Sequence, residues 1–114
     1  MNVAELILLY DYYGELLTDR QKECFELRYN QDLSLSEIGQ ELGISRQGVF
    51  DNLNRTEALL LKMEEKTGCV RRDLECRKAA KRIIAAAKEL AQWEDTRVCD
   101  LGQQILEAAQ GLEE

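Results

Sequence analysis

Apolar residues recur at intervals of three and four in six successive segments of the chain, the spacing that places them on one face of an α-helix. The first segment begins at Asn2 or the residue after it and runs to Tyr13, where Gly14 interrupts it. The others run from Asp19 to about Tyr29, from Leu35 to Gly43, from Ser45 to Thr67, from about Arg71 to Trp93, and from Asp95 or Thr96 to the C-terminus. The chain has no proline and many Leu, Ala, Glu, Lys and Arg residues. Pattern and composition together predict an all-α protein.

The stretch from Ser34 to Leu53 carries the most specific local signals. Ser34 and Glu37 have the spacing of a capping box, in which hydroxyl and carboxylate each accept a backbone N–H at a helix start. Gly43 suits the left-handed conformation that ends a helix, and Ser45 is an N-cap for the next one. The stretch therefore predicts a helix, a tight turn and a second helix.

Two pairs of apolar residues, each pair four apart on one helix face, predict how these helices pack: Ile38 with Leu42, and Val49 with Leu53. Gly39 offers a position without a Cβ where the second helix can pass close by. Asn52 stands where such motifs usually carry an aliphatic residue, and we expect it at the edge of the contact. These features predict a helix-turn-helix motif, with a plain corner between two bundle helices as the alternative.

The two segments before the motif are predicted to bury its back. Their inward stripes are Val3, Leu6, Ile7, Leu9, Tyr10 and Tyr13, and then Cys24, Phe25, Leu27, Arg28 and Tyr29. Thr18 and Gln21 form a second capping box between them. We interpret the tyrosines at 10, 12 and 13 as packing residues, with a base-stacking platform as the alternative. Arg20, Lys22 and Arg28 are either phosphate contacts or part of a solvated face.

The last two segments predict a helical hairpin with one apolar face. That face is Cys76, Ala80, Ile83, Ala87 and Leu90 on the first helix, and Val98, Leu101, Ile105, Ala108 and Leu112 on the second. We expect Gly68 to end the preceding helix, and Gly111, Glu113 and Glu114 to fray the last one. The predicted division is a helix-turn-helix domain over residues 1–67 and a C-terminal hairpin over residues 68–114 that serves for packing or dimerisation.

The composition argues against an enzyme. The chain has no histidine, the commonest general base, and no glycine-rich phosphate loop or nucleophile elbow. The four cysteines, Cys24, Cys69, Cys76 and Cys99, lack C-x-x-C spacing, so we expect ordinary buried thiols rather than a zinc site. No cofactor is expected.

The charge distribution is unusual for a nucleic-acid binder. The net charge is −7, with −3 over residues 1–17, −3 over 18–66, +5 over 71–88 and −6 over 89–114. The motif is therefore slightly acidic, although counterion release from a basic surface normally supplies much of the affinity for DNA. The first thirteen residues lack a basic flank, and no run of eighteen apolar residues occurs, which predicts a cytoplasmic protein without membrane contact.

If the motif binds DNA, its second helix enters the major groove and the residues off the Val49/Leu53 face contact it. The candidate DNA-binding residues are Arg46, Gln47, Phe50, Asp51, Asn54 and Arg55. Arg46 or Gln47 can pair with a purine edge, and Phe50 can touch a thymine methyl or a protein partner. Asp51 repels phosphates unless it forms an ion pair with Arg55 four residues later.

Several runs in the chain resemble a known family: Leu9–Tyr13, Leu17–Gln21, Leu33–Ile38, Ile44–Leu53 and Arg55–Glu57. Over Leu9 to about Lys66 the chain looks like the YlxM-like bacterial helix-turn-helix proteins, whose motif is similar to the promoter-reading domain of sigma factors. Asn52 matches this family's own pattern. The resemblance implies a sigma-factor region-four-like core of three helices, similar to a winged helix without its wing, with a C-terminal helical extension. It also implies a DNA-binding regulator or an accessory protein of the signal recognition particle pathway.

Two functions remain open at this stage. The first is a homodimeric, sequence-specific DNA-binding regulator of transcription. The second is a helical adaptor that binds protein or RNA of the signal recognition particle pathway. Its basic residues are either the RNA contact or a solvated face that balances the acidic tail: Arg71, Arg72, Arg77, Lys78, Lys81 and Arg82. The apolar residues expected to form the homodimer are Leu60, Leu61, Met63, Ile83, Ile84 and Leu90.

Overall fold

The computed structural model describes residues 2–112, and these contain helices and no strands. The helices are α1 (Val3–Tyr13), α2 (Asp19–Tyr29), α3 (Leu35–Leu42), α4 (Arg46–Thr67), α5 (Cys69–Leu90) and α6 (Thr96–Gly111), with a 3-10 turn at Gly14–Leu16. The all-α prediction is confirmed. The predicted bounds of α5 were wrong: the helix starts directly after Gly68, two residues before Arg71, and ends at Leu90, three residues before Trp93. The predicted fraying at Glu113 and Glu114 lies outside the described residues.

The predicted caps are present. Thr18 with Gln21 and Ser34 with Glu37 both form complete capping boxes, and the Ser45 hydroxyl accepts the Gly48 N–H at 2.9 Å. These side chains satisfy N–H groups that a helix start leaves without partners. At the other ends, Gly43 and Gly68 adopt φ angles of 72° and 63°, which a residue with a Cβ rarely adopts.

The chain divides into two compact units, residues 1–70 and residues 71–114. The first unit has two apolar clusters that meet at α2. One cluster contains Leu6, Leu9, Tyr13, Leu17, Phe25, Leu60 and Val70, and the other contains Cys24, Leu27, Ile38 and Val49. Because α2 contributes Phe25 to the first and Cys24 to the second, it joins α1 to the α3–α4 motif.

The long helix α4 finds its apolar partner inside the first unit. Leu60 is buried against α1, and Met63 packs at the edge of the same cluster. Leu60 is therefore unavailable for the predicted homodimer contact. Val3, predicted to face inward, is exposed because the α1 stripe that packs begins at Leu6.

A buried tyrosine fixes the end of α4. The Tyr13 hydroxyl donates to Glu64 Oε1 at 2.6 Å and lies 2.6 Å from the Thr67 hydroxyl. The same Glu64 oxygen accepts the Val70 N–H at 3.0 Å, so it serves one of the otherwise unpaired donors at the start of α5. Burial, followed by the hydrogen bond to Glu64, raises the pKa of Tyr13. Tyr13 is thus a packing residue, as expected.

Tyr10, at the α1–α2 contact, is also a structural residue. The Tyr10 ring stacks on Phe25 with centroids 4.2 Å apart, and its hydroxyl donates to Glu26 Oε1 at 3.0 Å. Burial and this acidic partner raise the pKa of Tyr10 to about 12. A ring already stacked on a core phenylalanine does not offer both faces to a base, which supports the packing interpretation.

The second unit contradicts most of the predicted apolar face of the hairpin. The buried residues are Ala80, Ile84 and Ala87 on α5, and Gly102 and Ala109 on α6. Ala80 and Ala87 therefore confirm part of the predicted face, and Leu90 and Val98 are half-buried. The other residues predicted to face inward are exposed: Cys76, Ile83, Leu101, Ile105, Ala108 and Leu112. Since Ile84 is buried, it too is removed from the predicted homodimer contact.

The physical reason lies in the residue sizes on α6. A Cβ added at Gly102 would lie 2.7 Å from both the Ala91 nitrogen and Leu90 Cβ, so only glycine permits this approach to the end of α5. The Cys99 thiol also donates to the Ala91 carbonyl at 3.0 Å. Gly102 and Cys99 therefore make the contact with the end of α5, and the large side chains of Leu101, Ile105 and Leu112 are left on the surface.

Candidate nucleic-acid interface

The angle between α3 and α4 is set by a close backbone approach. Ile44 N–H donates to the Gly39 carbonyl at 3.0 Å, and a Cβ at Gly39 would lie 2.7 Å from the Ile44 oxygen. Ile38 and Val49 are fully buried, with Leu42 and Leu53 packed at the rim of their cluster. These contacts confirm the predicted helix-turn-helix packing.

The packing of Val49 turns the opposite half of α4 to the solvent. At 3.6 residues per turn, the six candidate residues span about half of the helix circumference, away from Val49 and the buried Thr56. All six are exposed: Arg46, Gln47, Phe50, Asp51, Asn54 and Arg55. The exposed half of α4, defined by these six residues, carries two cations and one anion. It is therefore locally positive by one charge within an acidic domain.

Asp51 has a different partner from the one expected. The described residues show no ion pair between Asp51 and Arg55. Instead, Asp51 Oδ1 accepts a hydrogen bond from Gln47 Nε2 at 3.1 Å. A glutamine amide nitrogen has two N–H groups, so one N–H and the carbonyl oxygen of Gln47 are still available. That pair matches the donor and acceptor that adenine presents in the major groove.

An open polar cleft lies between the start of α2 and the edge of α4 that carries Asp51 and Arg55. It has a volume of about 320 Å³ and is lined by Thr18, Gln21, Gly48, Asp51, Asn52 and Arg55. From the sequence, Thr18 and Gln21 were predicted only to form a capping box, and their position beside Arg55 was not predicted. No local pattern could have shown this, because the proximity of the α2 start to α4 is a tertiary contact.

Asn52 lies at the edge of the motif's core, as expected, but its carbonyl oxygen is buried. Neither this Oδ1 atom nor the Thr56 hydroxyl has a hydrogen-bond partner among the described residues. A buried acceptor without a donor destabilises the folded state. Asn52 therefore lowers the free energy of unfolding relative to an aliphatic residue, which would leave no acceptor without a donor at this position.

The cations of α2 are engaged within the first unit. Arg20 donates to the Leu42 carbonyl at 3.2 Å, and Arg28 donates to the Leu33 carbonyl at 3.0 Å. Lys22 lies 3.5 Å from a carboxylate oxygen of Glu15. Arg28, predicted on the inward stripe, is exposed. These three side chains contact neighbouring segments of the first unit, which supports a structural role for them.

Other site classes receive no support from the described part of the chain. None of the four cysteines forms a disulfide within residues 2–112; Cys24 is buried, but Cys69 and Cys76 are exposed, so the expectation of four buried thiols was wrong. Among residues 2–112, no three acidic, cysteine or histidine side chains are grouped so that they could hold a metal ion. Nor does any helix in this range combine the length and hydropathy that crossing a bilayer requires.

Comparison with known proteins identifies the family. Residues 2–97 match the model of the UPF0122 family, described as "Putative helix-turn-helix protein, YlxM / p13 like". The chain belongs to this family. The resemblance noted in the sequence is therefore confirmed, and the match extends past α4 to the first residues of α6.

Relatives in three bacterial genera support the assignment. A UPF0122 protein of Acetivibrio thermocellus is 48% identical over 88 residues, covering 77% of this chain and 75% of the relative. One from Thermoanaerobacter sp. is 56% identical over 70 residues, covering 61% of this chain and 60% of the relative. One from Bacillus cereus is 39% identical over 105 residues, covering 92% and 91%.

Proposed function

We propose that this protein is a transcription regulator that binds duplex DNA as a homodimer, with the exposed half of α4 in the major groove. The observation that carries the proposal is the orientation of α4. Burial of Val49 against Ile38 leaves the six candidate residues on one continuous exposed surface at the start of the second motif helix. This is the part of a helix-turn-helix that contacts base edges.

Arg46 and Gln47 are the residues that discriminate between bases. Arg46 is the first residue of α4 and is exposed, so its guanidinium can donate to both acceptors of a guanine. Gln47 presents one N–H and its carbonyl oxygen to adenine while Asp51 holds its second N–H. Asp51 is thus a positioning residue in this proposal, which explains an acidic side chain on a DNA-facing helix. Phe50, Asn54 and Arg55 extend the contact to a thymine methyl and the backbone.

The acidic character of the first unit limits the affinity. With a net gain of one positive charge on the exposed half of α4, a protomer neutralises few phosphates, and the salt dependence per protomer is shallow. A homodimer offers two such surfaces to two half-sites, which compensates for a weak single contact. The protein functions in the cytoplasm, where it has access to the chromosome.

Selection of bound sequences from a pool of random duplexes at low salt tests this function. We expect enrichment of a two-fold symmetric site from the wild-type protein, and no enrichment from a variant with Arg46→Ala and Gln47→Ala. A matched variant with Lys66→Ala and Gln110→Ala loses the same charge and amide elsewhere and should enrich the same site. If the first variant enriches the wild-type site, the exposed half of α4 does not discriminate between sequences.

The run of cations on α5 favours a second candidate, an adaptor of the signal recognition particle pathway that binds its RNA or protein. The six basic residues between positions 71 and 82 of α5 are all exposed: Arg71, Arg72, Arg77, Lys78, Lys81 and Arg82. Arg77 also lies 3.4 Å from Asp73, so part of this charge is neutralised within the helix. The test is binding to the particle's RNA. Loss of this binding in Lys81→Ala with Arg82→Ala would favour this candidate over DNA binding, provided that Arg46→Ala with Gln47→Ala keeps it.

A further inference from the structure

One row of α6 has heptad spacing, and its residues are exposed except for Val98, which is half-buried. Val98, Leu101, Ile105, Ala108 and Leu112 follow one another at intervals of three, four, three and four residues. Leu101, Ile105 and Leu112 are 47%, 41% and 68% exposed. Scattered single apolar residues on a surface are normal, but a row of them in heptad register is the pattern of a helix that pairs with another helix. We call this row the α6 seam.

The seam is separate from the contact within the hairpin. The adjacent row on α6 contains the buried Gly102 and Ala109, and Gly102 packs against the end of α5. The helix therefore has one apolar row that is satisfied within the chain and a second one that is not. The second row has the larger side chains.

We propose that the α6 seam pairs in parallel with the same seam of a second copy of this chain. Two features of the seam identify the occupant. First, β-branched Val98 and Ile105 occupy the first two a positions of the heptad and Leu101 occupies the first d position, the arrangement that favours parallel two-stranded pairing; Ala108 and Leu112 occupy the second d and third a positions. In such a pair, each seam residue meets its own counterpart.

The second feature is charge. The positions beside the seam, e and g of the heptad, are Arg97, Gly102, Gln104, Ala109 and Gly111; they include one cation and no carboxylate, although residues 89–114 carry −6. Asp100 and Glu107 stand at c positions, away from the seam. Two identical acidic helices can therefore approach along this row without placing like charges across it. A basic partner helix would instead be expected to find carboxylates at e and g.

This inference rests on the homodimer of the proposed function and names its surface. It replaces the contact expected from the sequence, two of whose residues, Leu60 and Ile84, are buried. The seam is only two heptads long, so the dimer dissociates on dilution. Self-association is measured without DNA, which separates failure of this inference from failure of DNA binding.

Light scattering on the full chain at tens of micromolar tests the pairing. We expect the wild-type protein to have twice the 13.1 kDa mass of the chain. Leu101→Glu with Ile105→Glu should give the mass of a single chain with unchanged helical circular dichroism. Gln103→Glu with Gln110→Glu adds the same charge on exposed positions of α6 outside the seam and should keep the doubled mass. A wild-type monomer, or loss of the dimer in both variants, would overturn the proposal.

Disulfide trapping gives a second readout. It does not use the glutamate substitutions at positions 101 and 105, so it does not depend on any change in folding that they cause. In a background with Cys69, Cys76 and Cys99 replaced by alanine, Ala108→Cys places a thiol at a d position that meets itself in a parallel pair. A mild oxidant should link this variant into covalent dimers and leave a Gln103→Cys variant largely unlinked. Equal linking of the two, or none at position 108, would exclude parallel pairing through the seam.

Discussion

The carbonyl oxygen of Ile44 lies so close to Gly39 that a Cβ on that glycine would sit 2.7 Å from it. The oxygen belongs to the backbone of the turn and cannot rotate away. We therefore expect Gly39→Ala to push α3 from α4 and to lower the free energy of unfolding by about 1–3 kcal/mol, as overpacking of a tight contact does. Urea unfolding followed by circular dichroism measures the change.

Gly111→Ala is the matched control for this substitution. A Cβ at Gly111 meets nothing within 4 Å, and the residue does not have a positive φ angle. The alanine should be neutral or stabilise α6 by up to about 1 kcal/mol, since glycine is a poor helix former. If Gly39→Ala were as stable as the wild-type protein, the close approach would not determine the motif's geometry.

Asn52 is expected to lower the stability of the first unit. Because its Oδ1 atom is buried without a donor, Asn52→Leu should raise the free energy of unfolding by about 1–2 kcal/mol. Asn54→Leu makes the same chemical change on the exposed side of α4 and corrects for the better helix propensity of leucine. Equal effects of the two substitutions in thermal or urea unfolding would show that the Asn52 oxygen carries no penalty.

The capping box of α3 gives a pH-dependent contribution to stability. The Ser34 N–H donates to Glu37 Oε1 at 3.0 Å, and this hydrogen bond is the main reason why the pKa of Glu37 lies below its ordinary value of 4.5. A carboxylate with a lowered folded-state pKa stabilises the folded protein above the ordinary pKa. That contribution is lost as the pH falls through the lowered value.

The difference in unfolding free energy between the wild-type protein and Glu37→Gln should therefore be constant near neutral pH and change in favour of the variant in acid. Glutamine keeps the capping geometry but does not titrate in this range. Titration of the Glu37 carboxyl carbon by NMR measures the shift directly. A midpoint at or above 4.5 would contradict the assigned hydrogen bond.

The first unit could be predicted from its sequence because its signals are local. Ser34, Glu37, Gly43 and Ser45 each determine the backbone within a few residues, and the structure has all four in their predicted roles. The inward position of Val49 then followed from helical spacing alone. What spacing could not supply was the proximity of Thr18 to Arg55, which depends on how α2 packs across α4.

The hairpin was predicted less well because α6 has two apolar rows. Hydrophobicity favoured the row of Leu101 and Ile105, whereas the structure buries the row of Gly102 and Ala109. Close approach of two helices depends on small residues, and a pattern that scores only hydrophobicity gives them little weight. The same error hid the exposed seam, which became visible only when the buried row was known.

The most direct test of DNA recognition is the affinity for a selected duplex, measured by fluorescence anisotropy at low salt. Each bidentate base contact contributes about 1–3 kcal/mol, so Arg46→Ala with Gln47→Ala should weaken binding by at least about tenfold and reduce the preference over a scrambled duplex. Lys66→Ala with Gln110→Ala, which removes one positive charge and one side-chain amide elsewhere, should stay within about twofold of the wild-type affinity. Unchanged affinity and preference in the first variant would contradict the assignment of the exposed half of α4 as the DNA-binding surface.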